Sequence, residues 1–253
     1  MNIISYNLNG IRSALNKDFD KWLQKENPDI VCIQETKAQP EQIDEKIFAE
    51  LGYYSYWFSA KKKGYSGVGI LTKIKPDKIE SGIGIEKFDN EGRFIRADYG
   101  DISVISTYFP SGSNEDRQSV KMEWLDAFTE YIIELKKVRP KLIISGDYNI
   151  CRLWIDIHNP AQQQNTSGFL PEEREWFQKF IDLGFVDSFR EFDEEEEKYS
   201  WWSYRAASRQ RNKGWRIDYN IVTENLVPKL KGASILNDIV HSDHCPVKVE
   251  IEP

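Results

Sequence analysis

The stretch NIISYNLNG (residues 2–10) has a counterpart in KLIISGDYNI (residues 141–150), and the pair decides the predicted fold. In each stretch a short isoleucine-rich run ends in polar residues, and helical segments follow further along the chain. Such a run is typical of a buried strand, and polar residues at strand ends are where α/β sheets usually bind ligands. We therefore predict an α/β sandwich made of two similar halves, with two sheets face to face and helices outside.

The rest of the chain alternates short β-branched runs with helical stretches. Residues 18–27 place Phe19, Trp22 and Leu23 on one helical face, and strand-like segments dominate residues 53–108. A long helix is predicted from apolar residues at helical spacing, namely Val120, Trp124, Phe128, Tyr131 and Leu135. Because no Pro/Gly/Ser-rich linker divides the chain, we expect residues 1–253 to form a single domain.

The charge of the chain is unevenly distributed. The formal net charge of −7, from 34 basic and 41 acidic residues, argues weakly against a nucleic-acid binder. However, residues 200–216 carry five basic and no acidic side chains, interleaved with three tryptophans and a tyrosine, directly after the acidic run at 191–197. Basic and aromatic residues in alternation suit a phosphate backbone with exposed bases or sugars. The alternative is a solvated loop over core tryptophans.

Composition also bears on the compartment. No apolar run approaches the roughly 18 residues of a membrane span, so we expect no membrane partner. The first residues lack the basic and apolar regions of a signal peptide, and we expect a cytoplasmic protein. Three widely spaced cysteines in apolar contexts, Cys32, Cys151 and Cys245, predict reduced and mostly buried thiols rather than disulfides or a zinc site.

Polar residues with catalytic potential recur at probable strand ends. They are Asn7 and Asn9, Glu35 and Lys37, Tyr108, Asp147 and Asn149, Asp218, and Asp243 and His244. Each alone could be an ordinary turn former. Together they suit metal-assisted hydrolysis of a phosphoester, which requires oxygen ligands for a hard cation, a group that activates water, and donors for the developing charge. No GxSxG, HExxH or Walker motif competes with this interpretation.

The order of the motifs resembles that of the exonuclease III family of apurinic/apyrimidinic (AP) endonucleases, within the endonuclease/exonuclease/phosphatase superfamily. The matching motifs are YNLNGIR (6–12), QETK (34–37), GYSGVGILT (64–72), SGDYN (145–149), SGFLPEERE (167–175), WWSYR (201–205), GWRIDY (214–219) and SDHCP (242–246). The resemblance implies a four-layered α/β sandwich with two mixed sheets. It also implies a Mg²⁺-dependent phosphodiesterase, with Mn²⁺ as a substitute, that cleaves DNA 5′ to abasic sites and has 3′→5′ exonuclease and 3′-phosphodiesterase activity.

The same resemblance assigns the metal ligands and the groups around the attacking water. Glu35 is similar to the family's principal Mg²⁺ ligand, with Asn9 and Asp243 as direct or water-mediated ligands. Asp147 matches the residue that positions or deprotonates the water. Two amides match those that hold the water and the scissile phosphate, Asn7 and Asn149.

The phosphate contacts follow from the same match. His244 corresponds to the histidine that contacts the scissile phosphate, and Asp218 to the carboxylate that orients it. Tyr108 corresponds to a tyrosine that donates to the phosphate. The neighbouring His241 is expected to be a bystander.

Recognition residues are implied at three places. Backbone contacts with DNA correspond to Arg12, Lys17, Lys37, Gly64 and Tyr65. The apolar walls of a pocket for a flipped-out abasic sugar correspond to Trp201, Trp215 and Ile217, because a sugar without a base loses little stacking when it is extruded. Arg205 corresponds to a side chain inserted into the DNA groove. The implied partner is duplex DNA with abasic or 3′-blocked lesions, bound by a monomer.

Two places in the chain, with four residues in all, depart from the family pattern. Arg152, Leu153 and Trp154 replace a stretch that is usually shorter-chained or more polar, and Ser111 stands where some relatives carry asparagine. Two further hypotheses stay open. One is the same fold acting on an RNA tail, a phospholipid or an inositol phosphate, and the other is a non-catalytic DNA-binding protein.

Overall fold

The computed structural model describes residues 1–252, and their strands form two six-stranded sheets. Sheet A contains β1 (Asn2–Asn7), β2 (Ile30–Gln34), β3 (Tyr54–Phe58), β4 (Val68–Thr72), β11 (Leu230–Ile235) and β12 (Val247–Ile251). Sheet B contains β5 (Lys78–Ser81), β6 (Phe94–Tyr99), β7 (Ile102–Tyr108), β8 (Lys141–Asp147), β9 (Phe185–Asp187) and β10 (Asp218–Thr223).

The two sheets repeat one pattern of strand directions. The spatial order is β11-β12-β1-β2-β4-β3 in sheet A and β5-β6-β7-β8-β10-β9 in sheet B. In both sheets the central pair is parallel, β1 with β2 and β7 with β8, and the strands on either side of that pair are antiparallel to it. Position by position, β1 corresponds to β7 and β2 to β8, so the two strands that opened the sequence argument, β1 and β8, both lie in central pairs but are not equivalent strands of the repeat. The predicted internal repeat and mixed sheets are thus confirmed.

Seven α-helices lie among the described residues. They are α1 (Ile11–Leu15), α2 (Phe19–Glu26), α3 (Glu45–Glu50), α4 (Glu86–Asp89), α5 (Glu115–Val138), α6 (Pro160–Gln163) and α7 (Pro171–Asp182). No helix within residues 1–252 combines the length and apolar character needed to cross a membrane.

The core is divided into layers because each central strand is buried on both faces. Along β1, Ile3 packs into a cluster between the sheets, whereas Ile4 packs with Phe19 and Trp22 of α2 on the outer face of sheet A. On the outer face of sheet B, Trp124 and other aromatic residues of α5 and α7 form a third cluster. Helices, two sheets and helices therefore make four layers, as expected.

The strand ends bring polar residues to one edge of the sandwich. Tyr108 ends β7 and pairs in register with Asp147, which ends β8. Asp218 begins β10 and pairs with Asp147 from the other side, since β10 runs antiparallel to β8. In sheet A, Asn7 and Gln34 end the parallel strands β1 and β2 and are register partners. The candidate residues of both halves consequently lie at the same end of the fold.

Candidate active site

The loops after the central strands hold an unusual backbone conformation. Positive φ angles occur at Asn9 (47°), Glu35 (50°), Lys37 (48°) and Asn149 (52°). Residues other than glycine rarely adopt this left-handed backbone conformation, so contacts with the surrounding chain must maintain it. One such contact is a 2.8 Å hydrogen bond from Gly10 N to Glu35 O, which ties the loop after β1 to the loop after β2.

Asn7 links the two halves of the site. Its Nδ2 donates to Glu35 Oε1 and to Asp147 Oδ2, both at 2.9 Å, and so joins a carboxylate of each half. Its Oδ1 accepts from Asn9 N at 2.9 Å. Because both amide hydrogens and the oxygen are engaged, the orientation of the Asn7 amide is set by its partners.

Oxygen donors converge next to Asn7. Ligand atoms of Glu35, Asp147 and His244 lie within 4.8 Å of one another. Asn9 donates to Asp243 Oδ1 at 2.9 Å, and its own Oδ1 faces Lys37 Nζ at 2.5 Å. A carboxylate and an amide oxygen thus already share one ammonium group, since Lys37 Nζ also lies 2.6 Å from Glu35 Oε2. This donor chemistry fits a hard divalent cation.

His244 is held between two carboxylates. Its Nδ1 lies 2.9 Å from Asp218 Oδ2, and its Nε2 lies 3.8 Å from Asp147 Oδ2. Burial lowers the pKa of His244, but the Asp218 and Asp147 charges outweigh burial and raise that pKa to about 10. Ser200, which sequence reasoning missed, donates to Asp218 Oδ2 at 2.6 Å and accepts from Ile217 N and Asp218 N at 3.1 Å. Ser200 therefore fixes the carboxylate that orients the histidine.

Asp147 is buried and Tyr108 is partly buried. Burial, followed by repulsion from Asp218, raises the pKa of Asp147 to about 7, although His244 opposes the shift. Burial and the Glu35 charge raise the pKa of Tyr108, so its hydroxyl keeps its proton. The Asn149 backbone N donates to Asp147 Oδ1 at 2.8 Å and fixes that carboxylate.

A cavity of about 300 Å³ opens over this cluster. The three predicted pocket residues, Trp201, Trp215 and Ile217, border it together with Glu35, Asp147 and His244. The indoles of Trp201 and Trp215 meet edge to face with ring centroids 5.7 Å apart. Trp201 Nε1 also donates to Asp243 Oδ2 at 3.0 Å, so the apolar wall and the acidic cluster are directly connected.

The predicted DNA-backbone contacts lie outside the lining of this cavity. Arg12 and Lys17 are exposed at the start of the chain, and Gly64 is exposed in the loop before β4. Tyr65 is half-buried. Arg205 is exposed in the short 3₁₀ turn at Arg205–Ala207. Lys37 differs from these residues because its ammonium contacts Glu35 and Asn9.

A second cavity of about 310 Å³, which the sequence did not predict, lies beside Tyr108. Tyr65 borders it, and the Tyr65 hydroxyl accepts from Arg93 at 3.0 Å and Arg117 at 2.8 Å. Arg93 is buried under Tyr108, donates to its carbonyl at 2.9 Å, and places its guanidinium 5.0 Å from the ring centroid. Glu91 pairs with both arginines. In the sequence this cluster is marked only by an arginine directly before the apolar run of β6, and its burial is decided by the fold.

The basic segment at residues 200–216 contributes less positive surface than the sequence predicted. Arg216 is 1% exposed and pairs with the buried carboxylates of Asp156 and Asp187. Arg209 is partly buried and donates to three backbone carbonyls. Buried carboxylates require a cation, and for that reason Arg216 lies inside the fold. The exposed cations of the segment are Arg205, Arg211 and Lys213.

The atypical stretch at residues 152–154 does not border the 300 Å³ cavity. Arg152 Nη1 donates to Gln178 of α7 at 3.2 Å. Trp154 is 48% exposed and meets Phe169 edge-on at 5.9 Å. Ser111, in contrast, borders the cavity. His241 lies apart from the cluster, 3.3 Å from the Tyr6 hydroxyl, as expected for a bystander.

The chain is similar to known proteins along nearly its whole length. The sequence profile of the endonuclease/exonuclease/phosphatase family matches residues 4–244. An exodeoxyribonuclease of Bacillus subtilis is 43% identical over 254 residues and 99% of each chain is covered. A DNA-(apurinic or apyrimidinic site) endonuclease of Dictyostelium discoideum is 38% identical, with all of this chain and 71% of its own covered. The structure of an AP endonuclease from Archaeoglobus fulgidus superposes with a TM-score of 0.92 at 30% identity, with both chains fully covered.

Proposed function

The chain belongs to the endonuclease/exonuclease/phosphatase family, and we propose that it cleaves the phosphodiester 5′ to an abasic site in duplex DNA. One observation carries this proposal. The cluster of Glu35, Asp147 and His244 shares a single cavity with an apolar wall that includes Trp201 and Trp215. Hydrolysis of the phosphodiester requires the polar cluster, and recognition of a sugar without a base requires the apolar wall, so the two must lie side by side. We also propose one catalytic domain, in line with the family match over residues 4–244.

Mg²⁺ is the proposed cofactor, with Mn²⁺ as a substitute. Glu35 would be its principal ligand, with Asn9 and Asp243 close by, and their carboxylate and amide oxygens suit such an ion. When bound, the ion supplies positive charge to the scissile phosphate and to the leaving oxygen.

Protein groups would carry the remaining work at the phosphate. Asp147 accepts the proton of the attacking water, while the amides of Asn7 and Asn149 orient that water and the phosphate. His244, oriented by Asp218 at 2.9 Å, donates to a phosphate oxygen as negative charge develops there. The hydroxyl of Tyr108, which borders the same cavity, donates to the same phosphate.

The apolar wall would select the lesion. Trp201, Trp215 and Ile217 would receive the flipped sugar, and the narrow cavity would exclude a nucleotide that keeps its base. The DNA backbone would be held by exposed or half-buried groups, namely Arg12, Lys17, Gly64, Tyr65 and Arg205. Because a close relative is named an exodeoxyribonuclease, we also propose 3′→5′ exonuclease and 3′-phosphodiesterase activity on 3′-blocked ends.

The deciding experiment uses a 5′-labelled duplex with one tetrahydrofuran abasic analogue. The wild-type protein and Glu35→Ala are each incubated with Mg²⁺ or with EDTA. Glu86→Ala is the matched control, since it removes a carboxylate from an exposed ion pair with Lys61. We expect a Mg²⁺-dependent cut directly 5′ to the analogue in the wild type and in Glu86→Ala, and its loss in Glu35→Ala.

Other outcomes point to other functions. Laddering from the 3′ end without a cut at the analogue would favour 3′-end processing. Tight binding without any cleavage would favour a DNA-binding protein. A protein that neither binds nor cleaves the duplex, but hydrolyses an RNA tail or an inositol phosphate, would be a phosphoesterase of the same fold with another substrate.

A further inference from the structure

Lys37 points its ammonium group at the proposed metal ligands, a contact that binding to the DNA backbone does not require. Its Nζ lies 2.6 Å from Glu35 Oε2 and 2.5 Å from Asn9 Oδ1, and its side chain is only 33% exposed. The backbone is anchored, since Lys37 N donates to Ser66 O at 2.9 Å. The anchored backbone therefore leaves the ammonium group against the two proposed ligands of the metal.

An ammonium group and a divalent cation make similar demands on these oxygens. Both are compact, strongly hydrated positive charges that bind carboxylate and amide oxygens. Glu35 Oε1 already accepts from Asn7, so Lys37 engages the oxygen of Glu35 that Asn7 leaves available. Two cations cannot share the same oxygens without mutual repulsion at short distance.

We propose that Lys37 competes with the divalent cation for Glu35 and Asn9, and thereby sets the metal affinity of the DNA-free protein. This inference rests on the proposed metal site. Lys37 holds the acidic cluster neutralised and ordered without a metal, and a bound cation displaces its ammonium group. Lys37 thus acts through the ligands as a positioning residue.

The test measures metal binding directly, without DNA and without turnover. Mn²⁺ is titrated into protein freed of metal with EDTA, and free Mn²⁺ is counted by electron paramagnetic resonance. Lys37→Met keeps the length of the side chain but removes the charge, and should bind Mn²⁺ about tenfold more tightly than wild type. Lys37→Arg keeps the charge and should bind less tightly than Lys37→Met. Lys21→Met removes an equal charge from an exposed pair with Asp18 and should leave the affinity unchanged.

Thermal melting supplies a second readout that also reports folding. Without metal, Lys37→Met should melt below wild type because the acidic cluster loses its cation, and saturating Mn²⁺ should stabilise this variant more than it stabilises wild type. Equal or weaker Mn²⁺ binding by Lys37→Met would overturn the inference while leaving the metal site intact. Failure of wild type and all variants to bind Mn²⁺ would instead refute the proposed metal site, and the inference with it.

Discussion

Replacing Arg216 with methionine should destabilise the protein strongly. Arg216 makes four hydrogen bonds of 2.7–3.1 Å to the carboxylates of Asp156 and Asp187, and all three side chains are almost fully buried. Removing one partner of a buried ion pair typically costs about 3–5 kcal/mol, because the remaining charge has no compensation. Asp156 keeps Arg190 at 2.6 Å, and Asp187 keeps Arg152 at 3.8 Å. The lower end, about 3 kcal/mol, is therefore expected for Arg216→Met.

The loss is measured by urea unfolding and by thermal melting at neutral pH. In a chain of this size about 3 kcal/mol corresponds to roughly 6–12 °C in Tm. Burial raises the pKa of Asp156, but the Arg216 and Arg190 guanidinium groups outweigh it and the pKa is lowered. A lowered acid pKa contributes stability above the unfolded value, and this stability is lost as the pH falls through the folded value. The gap between wild type and Arg216→Met should therefore narrow below about pH 4.

Arg211→Met is the control, because Arg211 belongs to the same segment but is exposed. Its effect should stay within about 0.5 kcal/mol. The reasoning would be refuted by an Arg216→Met protein as stable as the control variant at neutral pH. A gap that widened on acidification would also contradict it.

Three further changes test other parts of the site. Gly168→Ala places a Cβ 2.7 Å from the ring of Trp215, at a backbone φ of +96°. The change should lower kcat/KM on abasic duplex by about tenfold or more, because it displaces a wall of the pocket. A similar loss of kcat/KM on a 3′-phosphate end would contradict a role of the pocket in selecting the abasic sugar. Lys121→Met leaves the buried Glu173 without its cation at 2.5 Å and should cost about 3 kcal/mol in urea unfolding, whereas the double change with Glu173→Leu should recover part of that loss. Asp218→Asn removes the main charge that raises the pKa of His244 to about 10. In wild type the raised pKa of His244 stabilises the fold below about pH 6.5, and this stabilisation is lost as the pH rises through the folded-state pKa. In metal-free Asp218→Asn, ¹⁵N NMR of the three histidines should show that His244 is neutral at neutral pH. An unchanged His244 titration would refute the pairing with Asp218.

Local patterns were enough to predict the layers and the polar residues at the strand ends, whereas the roles of those residues and the apolar pocket came from the family resemblance. Phe19, Trp22 and Leu23 are buried on α2 as their spacing indicated, because helical periodicity operates within one or two turns. The strands ending at Asn7 and Asp147 were also predicted, since a short run of apolar, β-branched residues is typical of a buried strand. Of the predicted catalytic residues, Tyr108, Asp147, Asn149 and His244 border the cavity with the pocket residues, whereas Asn7 and Asp218 act through hydrogen bonds to Asp147 and His244.

Tertiary structure alone decided how the charged side chains are paired. Arg216 was interpreted as surface charge beside a tryptophan, but its partner Asp156 lies 60 residues earlier in the chain. Lys121 and Glu173 are 52 residues apart, and Lys37 reaches Asn9 across 28. Periodicity and composition describe neighbours along the chain, whereas an ion pair depends on which distant segments the packed sheets bring within about 4 Å. Residue types along the chain therefore predicted the chemistry, and the packing of the two sheets determined which cation faces which carboxylate.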